Sequence, residues 1–180
     1  MAEVNFALLD EEGGRRLKRN RTLGLAVAAT VLILDQALKW IVTFPLQLQE
    51  RQVMRLLPFF DLNWTENRGV SMGFLTADTE LTRWLLVALT GAIALFVAAW
   101  MWREKRRDDT FGLALVLGGA LGNILDRVRL GYVVDFLDLH FGTLRPFLVF
   151  NVADAAITIG VLLLLVRALL MRDKSPRKEV

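Results

Sequence analysis

The sequence predicts an α-helical membrane protein of four spans with a small β element on its outer face. Three observations predict it. Apolar residues make up 54% of the 180, and the mean hydropathy is +0.43, high for a soluble domain. Four stretches reach or approach the ~20 apolar residues needed to cross a bilayer. Lysine and arginine gather at alternate ends of those stretches, as they do beside cytoplasmic membrane ends.

Residues 1–21 carry Arg15, Arg16, Lys18, Arg19 and Arg21 and read as a mobile, basic cytoplasmic tail. The first span is Leu23–Val42. Its run "LGLAVAATVLIL" after a basic region has the look of a cleaved leader. It continues into "DQALKWIV" without a clear small-residue cleavage site, so it is read as a retained span. In the loop 43–80, "FFDLNWTE" alternates as a strand does and "NRG" reads as a turn. The stretch "VSMGFLTAD" fits a strand or a short helix equally. The second span, Leu81–Trp102, ends at the basic loop "REKRRDD". The third, Phe111–Leu130, is the least apolar, because Asn123, Asp126 and Arg127 occupy its outer end. In the loop 131–151, "FLDLHFGTLRPFLVF" suits two short strands about Gly142. The fourth span is Val152–Met171, and residues 173–180 form a second basic tail. All four prolines lie outside the spans, and Trp40, Trp84, Trp100 and Trp102 lie near span ends, as in an interfacial belt. The reading is one membrane domain over 22–172. Both termini are cytoplasmic, and the loops 43–80 and 131–151 face outward.

Composition removes most chemistries. There is no cysteine, so neither a disulfide framework nor a thiol nucleophile exists. The single histidine, His140, excludes HExxH sites and any two-histidine metal site, and no metal or cofactor is expected. Basic residues sit at membrane flanks rather than among aromatics, which argues against nucleic-acid binding.

Ionisable groups in a membrane cost roughly 2.5–3.5 kcal/mol each even on mild insertion scales. Here they share one depth. Asp35 lies roughly 18 Å along its helix from Leu23, and Asp126 roughly 22 Å along from Phe111 in the same outward direction. Asp135 follows the third span, and Asp154 opens the fourth. Each has a bland explanation. Asp35 and Lys39 are spaced i, i+4 and can neutralise each other, and Arg127 can serve Asp126. Asn151 can cap the fourth helix with Asp154 at N3. That allocation leaves Asp135 and Asp154 without a cation; His140 reads as a solvated loop residue. Two like charges at close range push their pKa values apart, so one acid holds a proton while the other acts as a base. Such a pair can activate water and protonate a leaving amine without Cys, Ser, His or metal.

The stretches "DQALK", "NRG", "GGALGNILDRVRLGYVVDF" and "FNVADA" resemble, in order and spacing, the lipoprotein signal peptidase (signal peptidase II) family. The resemblance covers about Thr22 to Met171. It implies an aspartic endopeptidase of the bacterial inner membrane with Asp135 and Asp154 as its catalytic pair. Positioning roles fall to Asp35, Lys39, Asn67, Gly69, Asn123, Asp126, Arg127, Asn151 and Ala153. The implied partners are prolipoproteins whose cysteine bears diacylglyceryl, cut just before that cysteine, and the membrane lipid around them. The implied fold is a four-helix bundle with a small β cradle and a short helix on the periplasmic side. One departure is Met72, where the family commonly has an aromatic; its flexible thioether can cover the same ligand. Gly118, Gly119 and Gly122 read first as close helix packing, and second as room for a substrate backbone.

Two rival readings use the same residues. A Ser–Lys protease would employ Ser71 and Lys39, but it needs Lys39 neutral beside Asp35. A small proton-coupled carrier would use the intramembrane acids as an ion path; four spans without an internal repeat speak against it.

Overall fold

The computed structural model describes residues 6–69 and 80–172. In chain order the elements are α1 (Phe6–Thr43), α2 (Leu48–Arg51), β1 (Val53–Leu57), β2 (Phe60–Asn67), α3 (Glu80–Arg103), α4 (Arg107–Leu130), β3 (Val133–Leu139) and α5 (Val152–Arg172). Four helices are long and apolar enough to cross a membrane: Gly13–Thr43, Glu80–Arg103, Arg107–Leu130 and Val152–Leu170. These are the four expected spans. The segment 70–79, with Ser71 and Met72, and the tail 173–180 lie outside the described residues.

The basic segment read as a tail is helical. At 1.5 Å per residue, the 38 residues of α1 extend about 57 Å, well beyond a ~30 Å hydrocarbon core. Contacts with the last turn of α3 and the segment between α3 and α4 support the extra turns. The Asn20 amide donates to the Lys105 carbonyl at 2.8 Å, and Arg21 Nε donates to the Trp102 carbonyl at 2.9 Å. The Arg21 guanidinium also lies 4.6 Å over the Trp102 ring. Helix α4 likewise starts earlier than expected. Asp108 and Asp109 occupy its first turn, where the helix dipole favours anions, and Arg167 of α5 pairs with both at 2.5 and 3.0 Å.

Helix α4 is the hub, packed against α1, α3 and α5. Glycines make this possible. A Cβ on Gly118 would stand 2.6 Å from the Ala28 carbonyl of α1, and one on Gly119 would run into the Ala153 carbonyl of α5. The packing reading of these glycines therefore holds. The apolar core between α1, α3 and α4 comprises Ala28, Ala94, Val97, Met101, Leu113, Ala114 and Leu117. Leu89, Leu95, Phe96, Leu162, Leu165 and Leu169 point outward, exposed as a lipid-facing surface requires.

A three-stranded antiparallel sheet in the order β1-β2-β3 crowns one end of the bundle. "FFDLNWTE" is a strand, as expected. Strand β1 and residues 133–135 at the start of β3 lie outside the strands expected from the sequence. Of the two strands expected about Gly142, the first forms residues 136–139 of β3, and the second reduces to bridges of Leu144 with Phe141 and of Phe150 with Leu137. The sheet rests Leu62, Trp64, Val134 and Phe136 on Val42 and Leu48. It is thereby anchored to the C-terminal end of α1. An extra residue in β2 between Leu62 and Thr65 shifts the register, so that Thr65 faces Asp135 and Asn67 faces Val133.

Candidate active site

Three elements present the two unpaired acids. Helix α4 ends at Gly131, whose φ of 88° lets the chain turn back and donate from its N–H to the Arg127 carbonyl at 3.1 Å. Arg83 of α3 donates a second bond to that same Arg127 carbonyl at 2.8 Å and satisfies the Val128 carbonyl at 2.6 Å. The chain then enters β3, where Asp126 Oδ2 accepts the Val134 N–H at 3.2 Å. That bond fixes the strand one residue before Asp135, which is 2% exposed.

Asp154 sits in the first turn of α5, and Asn151 caps that helix as the sequence allows. The Asn151 side chain accepts the Asp154 N–H at 2.9 Å, while Asp154 Oδ2 accepts the Asn151 N–H at 3.2 Å. This is a reciprocal capping box. The amide nitrogen left over donates to Asp135 Oδ1 at 2.6 Å and to Asn123 Oδ1 at 3.2 Å. Asn123 in turn donates to Asp154 Oδ1 at 2.8 Å. One cap residue thus ties both carboxylates together. Asn67 holds the other oxygen of Asp135 at 3.0 Å. Its own carbonyl accepts the Gly69 N–H at 3.1 Å, an Asx turn that fixes which end of the amide faces the acid. Gly69 has φ 125°, a value that favours glycine.

Behind the pair lies a buried charged cluster. Lys39 Nζ stands 2.9 Å from Asp35 and 2.7 Å from Asp126, and all three side chains are at most 5% exposed. The ion pair of Asp35 with Lys39 is as expected. The assignment of Arg127 to Asp126 is corrected: Lys39 crosses from α1 to reach that acid, a contact that spacing within one helix cannot reveal. Asp35 Oδ1 accepts the Ala153 N–H at 3.0 Å, which seats α5. Gly122 admits that carboxylate, since a Cβ there would stand 2.6 Å from Asp35 Oδ2. Gln36, which the sequence left without a role, bridges to Asp126 at 2.8 Å. Its only signal was a polar residue beside an acid in an apolar span. Arg127 bonds the Asn123 carbonyl at 3.4 Å, and its buried Nε has no partner among the described residues.

His140 is also corrected. It is not solvated: it stands 3.1 Å from Asp61 with its side chain 15% exposed, because its backbone pairs with Phe59 at the sheet's end. The cavity of about 670 Å³ beside the acids is lined by Asn67, Asp135, Asp154, Thr158 and a largely apolar wall from Pro146 to Phe150. No group of three or more potential metal ligands occurs among the described residues.

Asp135 is pushed up to about 7. Burial is the main cause and the charge of Asp154 the second; hydrogen bonds from Asn67 and Asn151 and the charge of Lys39 oppose them. The site thus holds one acid that resists ionising beside a second carboxylate, at the mouth of an apolar cavity.

A polytopic membrane protein with paired, hydrogen-bonded carboxylates at one end of its bundle defines the class. Residues 27–170 match the family model described as signal peptidase (SPase) II. The chain is 60% identical over 162 residues to the lipoprotein signal peptidase of Rhizorhabdus wittichii, covering 89% of this chain and 94% of that one. It is 58% identical to the lipoprotein signal peptidase of Sphingopyxis alaskensis, with coverages of 87% and 90%. A solved structure of a bacterial membrane enzyme superposes with a TM-score of 0.74 at 27% identity, covering 88% of this chain and 94% of that one. The chain belongs to the signal peptidase II family.

Proposed function

We propose that this chain is the membrane endopeptidase that removes signal peptides from diacylglyceryl-modified prolipoproteins, with Asp135 and Asp154 as its catalytic pair. The observation that carries the reading is the Asn151 amide, which joins the two acids beside the cavity in a chain of this family. Asp135 holds the proton and Asp154 is the base. A water between them gives a proton to Asp154 and attacks the scissile carbonyl carbon. Asp135 donates to the carbonyl oxygen. The proton taken by Asp154 then passes to the amide nitrogen, the C–N bond breaks, one hydroxyl of the tetrahedral intermediate returns its proton to Asp135 as the new carboxyl group forms, and the lipidated cysteine leaves with a free amine. The buried Arg127 Nε is a donor in reserve for a substrate carbonyl.

The alkaline limb of the pH profile follows from the Asp135 shift. A raised pKa means that the proton is kept up to about 7 and lost above it. The proton is required, so kcat/KM declines above that pH, approaching about tenfold per unit. A profile flat from neutral pH to 9 would remove Asp135 from the acid role.

The substrate's lipid does the placing. Each buried methylene contributes about 0.8 kcal/mol to anchoring, so the diacylglyceryl group stays in the bilayer and the substrate arrives laterally. The adjacent peptide bond is then held at the depth of the acids, and orientation alone can supply several kcal/mol of barrier lowering. A lipidated precursor releases its signal peptide when incubated with the purified protein, while the same peptide without lipid is cleaved poorly or not at all. Equal rates in one detergent would contradict this.

The charge asymmetry of the loops supports cytoplasmic termini in a bacterial inner membrane and an active site at the periplasmic leaflet. Reporter fusions after Arg107 and Lys174 are expected to report cytoplasm, and one at Asp78 periplasm. A cytoplasmic signal at Asp78 overturns the orientation.

A further inference from the structure

The segment 145–149 is a strap between the Phe141–Leu144 bridge and the Leu137–Phe150 bridge. On one side, Pro146, Phe147, Leu148 and Val149 line the cavity that holds Asp135 and Asp154. The same four residues line a second cavity of about 310 Å³, together with Asp138 and Arg145. A wall with open space on both sides is not held by packing, and Leu148 is 88% exposed. Its backbone ties lie at the two ends: Phe141 with Leu144, and Phe150 with Phe136 and Leu137.

Between those ends the polar tie among the described residues is Arg145, whose guanidinium donates to Asp138 Oδ2 at 2.7 Å. Asp138 is 1% exposed and belongs to the rigid sheet. The same oxygen accepts from Asn63 at 3.3 Å, while Oδ1 is buried with no hydrogen-bond partner among the described residues. A buried carboxylate strongly favours an ion partner, and a guanidinium fork can serve both of its oxygens. Arg145 serves one. The unused oxygen offers a second seat for the same side chain, so the strap has a strong tether with room to shift.

We propose that Arg145 and Asp138 position the wall 146–149 and thereby set how much peptide or lipid bulk the catalytic cavity admits. The admission role rests on the peptidase reading; the tether itself does not. Both residues are positioning residues, acting through the wall rather than on the scissile bond.

The chain has no cysteine, so Leu148→Cys in the full-length protein carries a single spin label on the wall. Arg145→Ala is expected to sharpen the label's spectrum. In the unlabelled protein it raises KM for a lipidated precursor about fivefold with kcat nearly unchanged, the signature of lost binding rather than lost chemistry. It also narrows the difference in kcat/KM between precursors with small and with bulky residues before the cysteine. Arg145→Lys restores most of each effect. The double variant Arg145→Ala/Asp138→Asn, which leaves no unpaired buried charge, keeps the mobile label and the raised KM. An unchanged spectrum in Arg145→Ala overturns the tether. An equal fall in kcat for both precursors at constant KM overturns the admission role. A wild-type chain that cleaves no lipidated precursor overturns the peptidase reading and the admission role together, while the label still decides whether Arg145 holds the wall.

Discussion

Asp135→Asn and Asp154→Asn are each expected to abolish cleavage of a lipidated precursor while the protein stays folded in the membrane. Each substitution preserves shape and removes a titratable proton. General acid–base participation contributes on the order of 10²–10⁴-fold, and here both partners of one proton are needed, so the loss reaches at least that range. The folding cost is small for a physical reason. Asp135 already resists ionisation, with its carboxyl pushed up to about 7. A neutral amide therefore suits its surroundings. It has one acceptor oxygen instead of two, so one bond from Asn67 or Asn151 is given up, at about 1 kcal/mol. Asp154→Asn likewise loses one arm of the capping box on α5. Cleavage assays and thermal unfolding in the same detergent separate the two effects. Substantial residual cleavage by either variant removes that residue from the catalytic pair.

Lys39→Met is expected to destabilise the protein by about 3–5 kcal/mol, the usual cost of taking one partner from a buried ion pair. Lys39 is the cation within salt-bridge distance of both Asp35 and Asp126. Those acids hold the elements that carry Asp135 and Asp154: Asp35 accepts from Ala153 beside Asp154, and Asp126 accepts from Val134 beside Asp135. Removing the lysine leaves two carboxylates in a low-dielectric interior with no cation between them. Cleavage should fall with stability, since the seats of both Asp135 and Asp154 depend on the same cluster. The triple variant Lys39→Met/Asp35→Asn/Asp126→Asn removes the uncompensated charge and should recover much of the unfolding midpoint. A Lys39→Met protein that melts with the wild type would show that the cluster does not hold the site.

The four spans were legible in the sequence because the bilayer imposes a length and a polarity on each element separately. A run of apolar residues must be long enough, and lysines and arginines must gather on one side. The strand at "FFDLNWTE" and the capping box at Asn151 were legible for a similar reason: each is a local pattern of adjacent residues. Asp135 and Asp154 stood out because helix rise gives depth, and depth brought polar residues from separate segments to one level. Tertiary structure alone decided who pairs with whom at that level. Lys39 could be assigned to Asp35, one turn away on its own helix. Its second partner, Asp126, lies on another helix, brought close by Gly118 and Gly122, where a side chain would meet α1. The same holds for Gln36 with Asp126, for His140 with Asp61 and for Arg145 with Asp138. Spacing along one chain determines which residues share a depth or a face. Contacts across chain segments depend on the rotation and close approach of whole helices and strands, and those are set by the packing of every element at once.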